Sequence, residues 1–317
     1  MAAESVVDYA SEVCRMMERQ LRDWETVKRN YAALAGVLTR TLNVGRSKIV
    51  LQYNPERIRS SAAEVSKEAL AARKCFLCTE NQPKEQETLD WHGMYKIQVN
   101  PYPIFPRHLT IACWSHTPQS VAGRMGHMVR LAADLSDFVI LYNGPKCGAS
   151  APDHMHFQAG NKGFLPICDE LADAEREVLL KQGSGTLSLV EGLGRRCFVV
   201  EASDADCAEA LFDRLEMALP LHDGDTEPMQ NLLCWHDGGE WRIVVFPRVK
   251  HRPSCYGTGK GQFLLSPASV DMGGVFAVPV EADFSALTAD AVQAMLDELC
   301  IGADGVEQVI DRLMANK

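Results

Sequence analysis

The residues best suited to chemistry lie between 143 and 158, in the run Asn143-Gly-Pro-Lys-Cys-Gly-Ala-Ser-Ala-Pro-Asp-His-Met-His-Phe-Gln158. The run follows an apolar stretch at 138–142 that reads as a strand. It combines a turn-forming loop containing Gly144 and Gly148, a hydroxyl at Ser150, and the pattern His154-x-His156-x-Gln158. Glycine lets backbone amides approach an anion closely. If 154–158 is extended, period-two alternation puts both imidazoles and the amide on one face. A His-x-His pair alone is compatible with metal ligation or with two unrelated surface histidines. The glycine-rich loop directly before it favours phosphoryl chemistry, in which loop amides hold oxygens and a neutral imidazole attacks phosphorus.

Two further groups can carry chemistry. Cys75-Phe-Leu-Cys78 is a C-x-x-C, which is half of a metal site, a redox pair, or two buried thiols. Arg248, Lys250 and His251 follow the run RIVVFPR and form a local cationic cluster suited to a second phosphorylated substrate, or simply a charged surface.

The elements that must position these residues read as α+β throughout. Apolar residues from Val6 to Leu34, in steps of three and four, predict one long packing helix. Strands are predicted at 95–99, 108–112 and 138–142, around a helix at 120–135. The pattern then restarts: CFVVEA reads as a strand, 206–219 as a helix, and NLLCWHDGGEWRIVVFPR as a hairpin. Helices near 289–300 and 305–314 close the chain. The Gly- and Ser-bearing stretch 181–194 reads as a boundary. The resulting division is an N-terminal helical segment (1–45), a catalytic half (46–185) and a second half (186–317).

The chain has 317 residues, 46% of them hydrophobic, and a formal net charge of −10. That is enough apolar surface for a large core. The acidic balance argues against a nucleic-acid partner. Neither a membrane span nor a secretory leader is read near the N-terminus, so the expected location is cytoplasmic. The eleven cysteines are accordingly expected to be reduced.

His154-Met-His156-Phe-Gln158, with its NGPxxGAS loop and the upstream Asn100-Pro-Tyr-Pro-Ile-Phe-Pro-Arg-His-Leu109, resembles the active-site region of the histidine-triad superfamily. The similarity is to the branch holding galactose-1-phosphate uridylyltransferases, dinucleoside tetraphosphate phosphorylases, and GDP- and ADP-sugar phosphorylases. Met155 stands where uridylyltransferases have proline. The resemblance implies two histidine-triad-like halves, each an antiparallel sheet with flanking helices, with the catalytic strand kept in the first half only. It also implies a nucleotidyltransferase in which His156 attacks the α-phosphorus of a nucleotide sugar or dinucleoside polyphosphate. The nucleotidyl group then passes to phosphate or a sugar phosphate, and Gln158 binds a phosphate oxygen. A hydrolase and a non-catalytic nucleotide sensor are the alternatives.

By the same resemblance the 143–150 loop (Asn143, Gly144, Lys146, Gly148, Ser150) cradles phosphates. Asn100 contacts the nucleotide, and Arg57 and Arg59, in QYNPERIRS, bind phosphate. His108 is expected to pack within its strand. Zinc, or iron on the same donors, is implied at Cys75, Cys78, His116 and His154 as a structural centre. A homodimer is compatible with this branch.

Overall fold

The computed structural model describes residues 7–55 and 72–315. Two helices open it, α1 (Tyr9–Asp23) and α2 (Glu25–Ala32). Between them Trp24 has extended backbone angles, so the predicted single helix is broken. The break is invisible to periodicity because the bonding pattern continues across it. The Trp24 N–H still donates to the Gln20 carbonyl, and its own carbonyl accepts from Lys28. The helical segment also ends earlier than residue 45, since β1 (Leu38–Val44) pairs with β2 (Ser47–Tyr53).

Ten antiparallel strands then form one continuous sheet. Its first half contains β3 (Leu89–Trp91), β4 (Tyr95–Val99), β5 (His108–Cys113), helix α3 (Met125–Asp134), β6 (Phe138–Asn143) and β7 (His156–Asn161). After the short helix α4 (Pro166–Glu170), the second half contains β8 (Arg176–Gln182), β9 (Gly185–Val190), β10 (Cys197–Ala202), helix α5 (Ala205–Ala218), β11 (Gln230–Asp237) and β12 (Glu240–Pro247). The spatial order is β3-β4-β5-β7-β6-β11-β12-β10-β9-β8. Each half is therefore the same β-β-β-α-β-β unit, and the two meet edge to edge where Asn143 lies opposite Asn231 and Ile140 opposite Cys234. In the second half β12 takes the place of β7, and its sequence, EWRIVVFP, carries no histidine.

The 181–194 stretch is a hairpin in this sheet. Gln182 and Gly185 pair at its tip, and Gly183 has positive φ. Its glycine and serine mark a tight turn, which composition alone does not distinguish from a linker. The rest of the chain comprises α6 (Ser269–Met272), β13 (Val275–Val278), α7 (Glu281–Ala286), α8 (Ala289–Leu299) and α9 (Ala303–Ala315). β13 runs parallel to β2 and completes a three-stranded sheet.

The large sheet has a core on each face. Phe138, Ile140, Tyr142, Met155, Phe157 and Ala159 pack with α1, α2, α3, α5 and α9. Val139, Leu141, Leu233, Val244 and Phe246 pack with β2, β13 and α8. Alternation along β7 thus sends Phe157 and Ala159 to the helical face, leaving His156 and Gln158 on the face toward the small sheet. Among the described residues, no helix is long and apolar enough to cross a membrane.

Candidate active site and metal centre

β7 begins at His156, so His154 sits in the turn leading into the strand and does not share the strand face with His156 and Gln158 as alternation predicted; the two imidazoles lie in different surroundings. His156 is buried, 4% exposed, on the wall of a cavity of about 900 Å³. Its Nδ1 lies 2.8 Å from the His154 carbonyl. A carbonyl can only accept, so Nδ1 carries the proton and Nε2 keeps its lone pair. Burial pushes the ring down to about 4, which keeps it neutral at pH 7.

Gln158 lines the same cavity. His108 Nδ1 accepts the Ile104 N–H at 3.2 Å, so its Nε2–H donates to Gln158 Oε1 at 2.9 Å. With Oε1 engaged, Gln158 has its amide donors to offer a ligand. His108 thus does more than pack: it orients Gln158. The sheet register carries the signal, because Thr110 lies opposite Gln158 and His108 is its diagonal neighbour.

Gln119 is a residue the sequence reading missed. Its Oε1 accepts the His156 backbone N–H at 2.8 Å, and its Nε2 donates to the carbonyls of Asn143 (2.9 Å) and His156 (3.0 Å). It staples β7 to the end of β6 where the loop begins. No local pattern reveals it, since a loop glutamine gains this role only through tertiary folding. Gln119→Ala would strand three buried backbone groups. The expected loss is about 2–4 kcal/mol, read as a lower urea midpoint at unchanged slope.

The 143–150 loop divides into two parts. Asn143 Oδ1 accepts from Asn231 Nδ2 (2.9 Å) and from the Ser269 N–H (2.8 Å), which fixes the amide at the cavity. The Gly144 N–H donates to the Gln230 carbonyl at 3.1 Å, and a Cβ there would meet that oxygen at 2.9 Å. Gly144 therefore permits close packing instead of holding an anion. Lys146 ion-pairs with Asp225 and does not line the cavity. Gly148 has φ +91°, and a Cβ there would lie 2.6 Å from Ala268 Cβ. Gly148, Ala149 and Ser150 all line the cavity. Asn100 lines it too, with Oδ1 taken by the Tyr102 N–H and Nδ2 by Thr110 Oγ1. So does Trp24, at the break between α1 and α2, which the reading as a packing helix did not anticipate.

The cationic cluster separates in the fold. Arg248 is buried and donates to Asn231 Oδ1 and to the carbonyls of Lys250, His251 and Pro267. Lys250 pairs with Glu298. Of the three, only His251 lines the cavity, joined there by Arg252. Arg57 and Arg59 lie outside the described residues.

Cys75, Cys78, His116 and His154 come together beside this cavity, with all four donor atoms within 4.8 Å of one another. His154 Nδ1 lies 3.3 Å from Cys75 Sγ and 3.6 Å from Cys78 Sγ, and His116 Nδ1 lies 3.2 Å from Cys78 Sγ. Zinc bonds of about 2.0–2.3 Å in a tetrahedron give edges of roughly 3.3–3.8 Å; these three separations lie near that range, and two thiols with two imidazoles are a donor set suited to such an ion. The His154 Nε2–H donates to the Cys113 carbonyl at 2.9 Å, which turns the lone pair of Nδ1 toward the cysteines. The buried Lys96 ammonium donates to the Leu77 carbonyl (2.6 Å) and Thr79 Oγ1 (3.1 Å), holding the C-x-x-C turn. Asp153 pairs with Arg73 at 2.9 Å and lies 4.0 Å from His116 Nε2.

The repeated unit gives an α+β architecture of two similar halves in one continuous sheet. A family model described as a domain of unknown function, DUF4922, matches residues 16–161, ending with β7. No curated protein matches the sequence. Among solved structures the chain is similar to the yeast Ap4A phosphorylase Apa2. The identity is 15% and the TM-score 0.57, covering 92% of this chain and 94% of that one. For Apa2 in complex with AMP the identity is 16% and the TM-score 0.61, covering 93% and 96%. For its complex with Ap4A they are 16% and 0.60, covering 93% and 98%. At this identity the likeness is one of fold, and it agrees with the fold implied by the motif.

Proposed function

We propose that this protein is a nucleotidyltransferase of the phosphorylase type, working through His156. The observation that carries this reading is a buried, neutral imidazole whose Nδ1–H is held by the His154 carbonyl, leaving Nε2 free on the wall of a large cavity. Nε2 attacks the α-phosphorus of a nucleotide sugar or dinucleoside polyphosphate. The N–P bond forms as the bond from phosphorus to the bridging oxygen breaks, and the electron pair leaves with that oxygen. An oxygen of inorganic phosphate or a sugar phosphate then attacks the same phosphorus, and the pair of the N–P bond returns to Nε2.

Gln158, oriented by His108, donates to a non-bridging oxygen as charge builds there. An amide cannot protonate a departing oxygen. The leaving group must therefore be stable as an anion, which a phosphate is and an alkoxide is not. Asn143 and the Gly148–Ser150 edge contribute polar groups to the same wall. Apa2, which shares the fold, is an Ap4A phosphorylase observed with AMP and with Ap4A, and this supports a nucleotide-type donor here.

In this reading Cys75, Cys78, His116 and His154 hold a structural zinc, with iron compatible with the same donors. The ion would supply a fixed anchor for the turn that enters β7. His154 would hold the backbone carbonyl that orients His156.

The acceptor requirement tests the reaction type. With a panel of ADP-, GDP- and UDP-sugars and diadenosine tetraphosphate, turnover is expected to rise with added inorganic phosphate or hexose 1-phosphate. Release of free nucleoside monophosphate at a rate indifferent to either acceptor would identify a hydrolase.

A further inference from the structure

The second half of the molecule lines the cavity at residues 251–252 and along 264–277. Arg248 fixes the first of these segments from below. Its guanidinium binds the carbonyls of Lys250 (3.1 Å) and His251 (3.2 Å), together with Asn231 Oδ1 (2.6 Å) and the Pro267 carbonyl (2.9 Å). The next arginine is engaged differently. Arg252 lines the cavity with its guanidinium carbon 4.2 Å over the Tyr256 ring, which restrains its plane. Its Nε is buried and meets no hydrogen-bond acceptor among the described residues. Arg248 Nε is in the same state, but the terminal nitrogens of Arg252, unlike those of Arg248, make no hydrogen bond or ion pair among the described residues. The two terminal nitrogens form an edge of the guanidinium that matches two oxygens of a phosphate.

His251 stands beside it on the cavity wall. Burial, with Arg252 and Arg248 nearby, pushes its ring down to about 4, so it is neutral at pH 7 and can donate an N–H without adding charge. Asp271 also lines the cavity, and its carboxylate accepts the N–H groups of Ala268 (2.8 Å) and Ala277 (3.3 Å), which fixes where its negative charge sits.

We propose that Arg252 and His251 form an anion subsite that takes the phosphate group of the acceptor, whether free inorganic phosphate or the phosphate end of a sugar phosphate. The role as acceptor site rests on nucleotidyl transfer through His156; the affinity for a phosphate anion rests on the geometry of Arg252 alone. An acceptor oxygen bonds to phosphorus as the Nε2–P bond breaks, and Arg252 neutralises charge without giving up a proton.

The test is calorimetric titration of inorganic phosphate, and separately of hexose 1-phosphate, into the wild type, Arg252→Gln, Arg252→Lys and His156→Ala. Circular dichroism would confirm that each variant is folded. Arg252→Gln is expected to weaken both anions about tenfold or more, with Arg252→Lys recovering part of the loss. His156→Ala is expected to bind them as the wild type does. Loss confined to the sugar phosphate would assign the subsite to that acceptor, and loss of both would assign it to the shared phosphate group. Equal affinity in the wild type and Arg252→Gln, or no binding to the wild type, would overturn the proposal. Arg252-dependent binding in a protein that never becomes nucleotidylated would leave the subsite standing and remove the transfer reading. Nucleotidylation with Arg252-independent binding would do the reverse.

Discussion

His156→Ala is expected to reduce nucleotidyl transfer by a factor on the order of 10⁴ to 10⁶, the loss typical when an attacking group or its partner base is removed. Steady-state release of product from the donor panel measures it. The fold should survive. The replacement removes one hydrogen bond, from Nδ1 to the His154 carbonyl, while the backbone of residue 156 remains held by Gln119. A destabilisation of about 1–2 kcal/mol is expected, equivalent to a fall of several degrees in thermal midpoint. The contrast between a near-total loss of turnover and a small loss of stability distinguishes a nucleophile from a packing residue. A variant with more than a tenth of wild-type turnover would contradict the assignment.

The second large effect concerns the metal centre. Elemental analysis of the purified protein is expected to find one zinc or iron per chain. Removing it with a strong chelator, or replacing Cys75 by alanine, is expected to lower the thermal midpoint by on the order of 10 °C or more. The four donors come from three separate stretches of chain, and among the described residues the apolar cluster around them comprises Cys75, Leu77, Ala112 and Ala151, with Cys78 at its edge. So small a cluster is a weak substitute for four metal bonds. Activity should fall as well, about 10²-fold, because a shift of the turn at His154 by about 1 Å moves the carbonyl that orients His156. Unlike His156→Ala, Cys75→Ala should still form the covalent intermediate, only more slowly. A metal-free preparation with unchanged midpoint and full activity would refute a structural role for the centre.

Much of this site is legible in the sequence because it is local. Period-two alternation places His156 and Gln158 on one face of a strand, and Phe138–Asn143 reads as a central strand because it is apolar on both faces. The C-x-x-C declares half of a metal site by its spacing. What escapes the sequence depends on distant partners. Gly144 and Gly148 are equivalent as letters, yet one packs against Gln230 and the other against Ala268 at the cavity edge, both contributed from beyond the catalytic half. Arg248 reads as a candidate for a second phosphorylated substrate or as surface charge, but it is buried because four oxygens of the second half converge on it. Trp24 keeps the helical rhythm of its neighbours while its backbone leaves the helix. The symmetry of the two halves is likewise carried by strand order, which no residue pattern in β12 discloses.

The central claim is that His156 Nε2 becomes covalently bonded to a nucleotide phosphorus. Intact-protein mass spectrometry after brief incubation with each donor, without acceptor, tests it most directly. The account predicts a mass gain of one nucleoside monophosphate with at least one donor, absent in His156→Ala and discharged by inorganic phosphate or a sugar phosphate. Turnover of a donor with no adduct at any time, or an adduct that persists in His156→Ala, would contradict it.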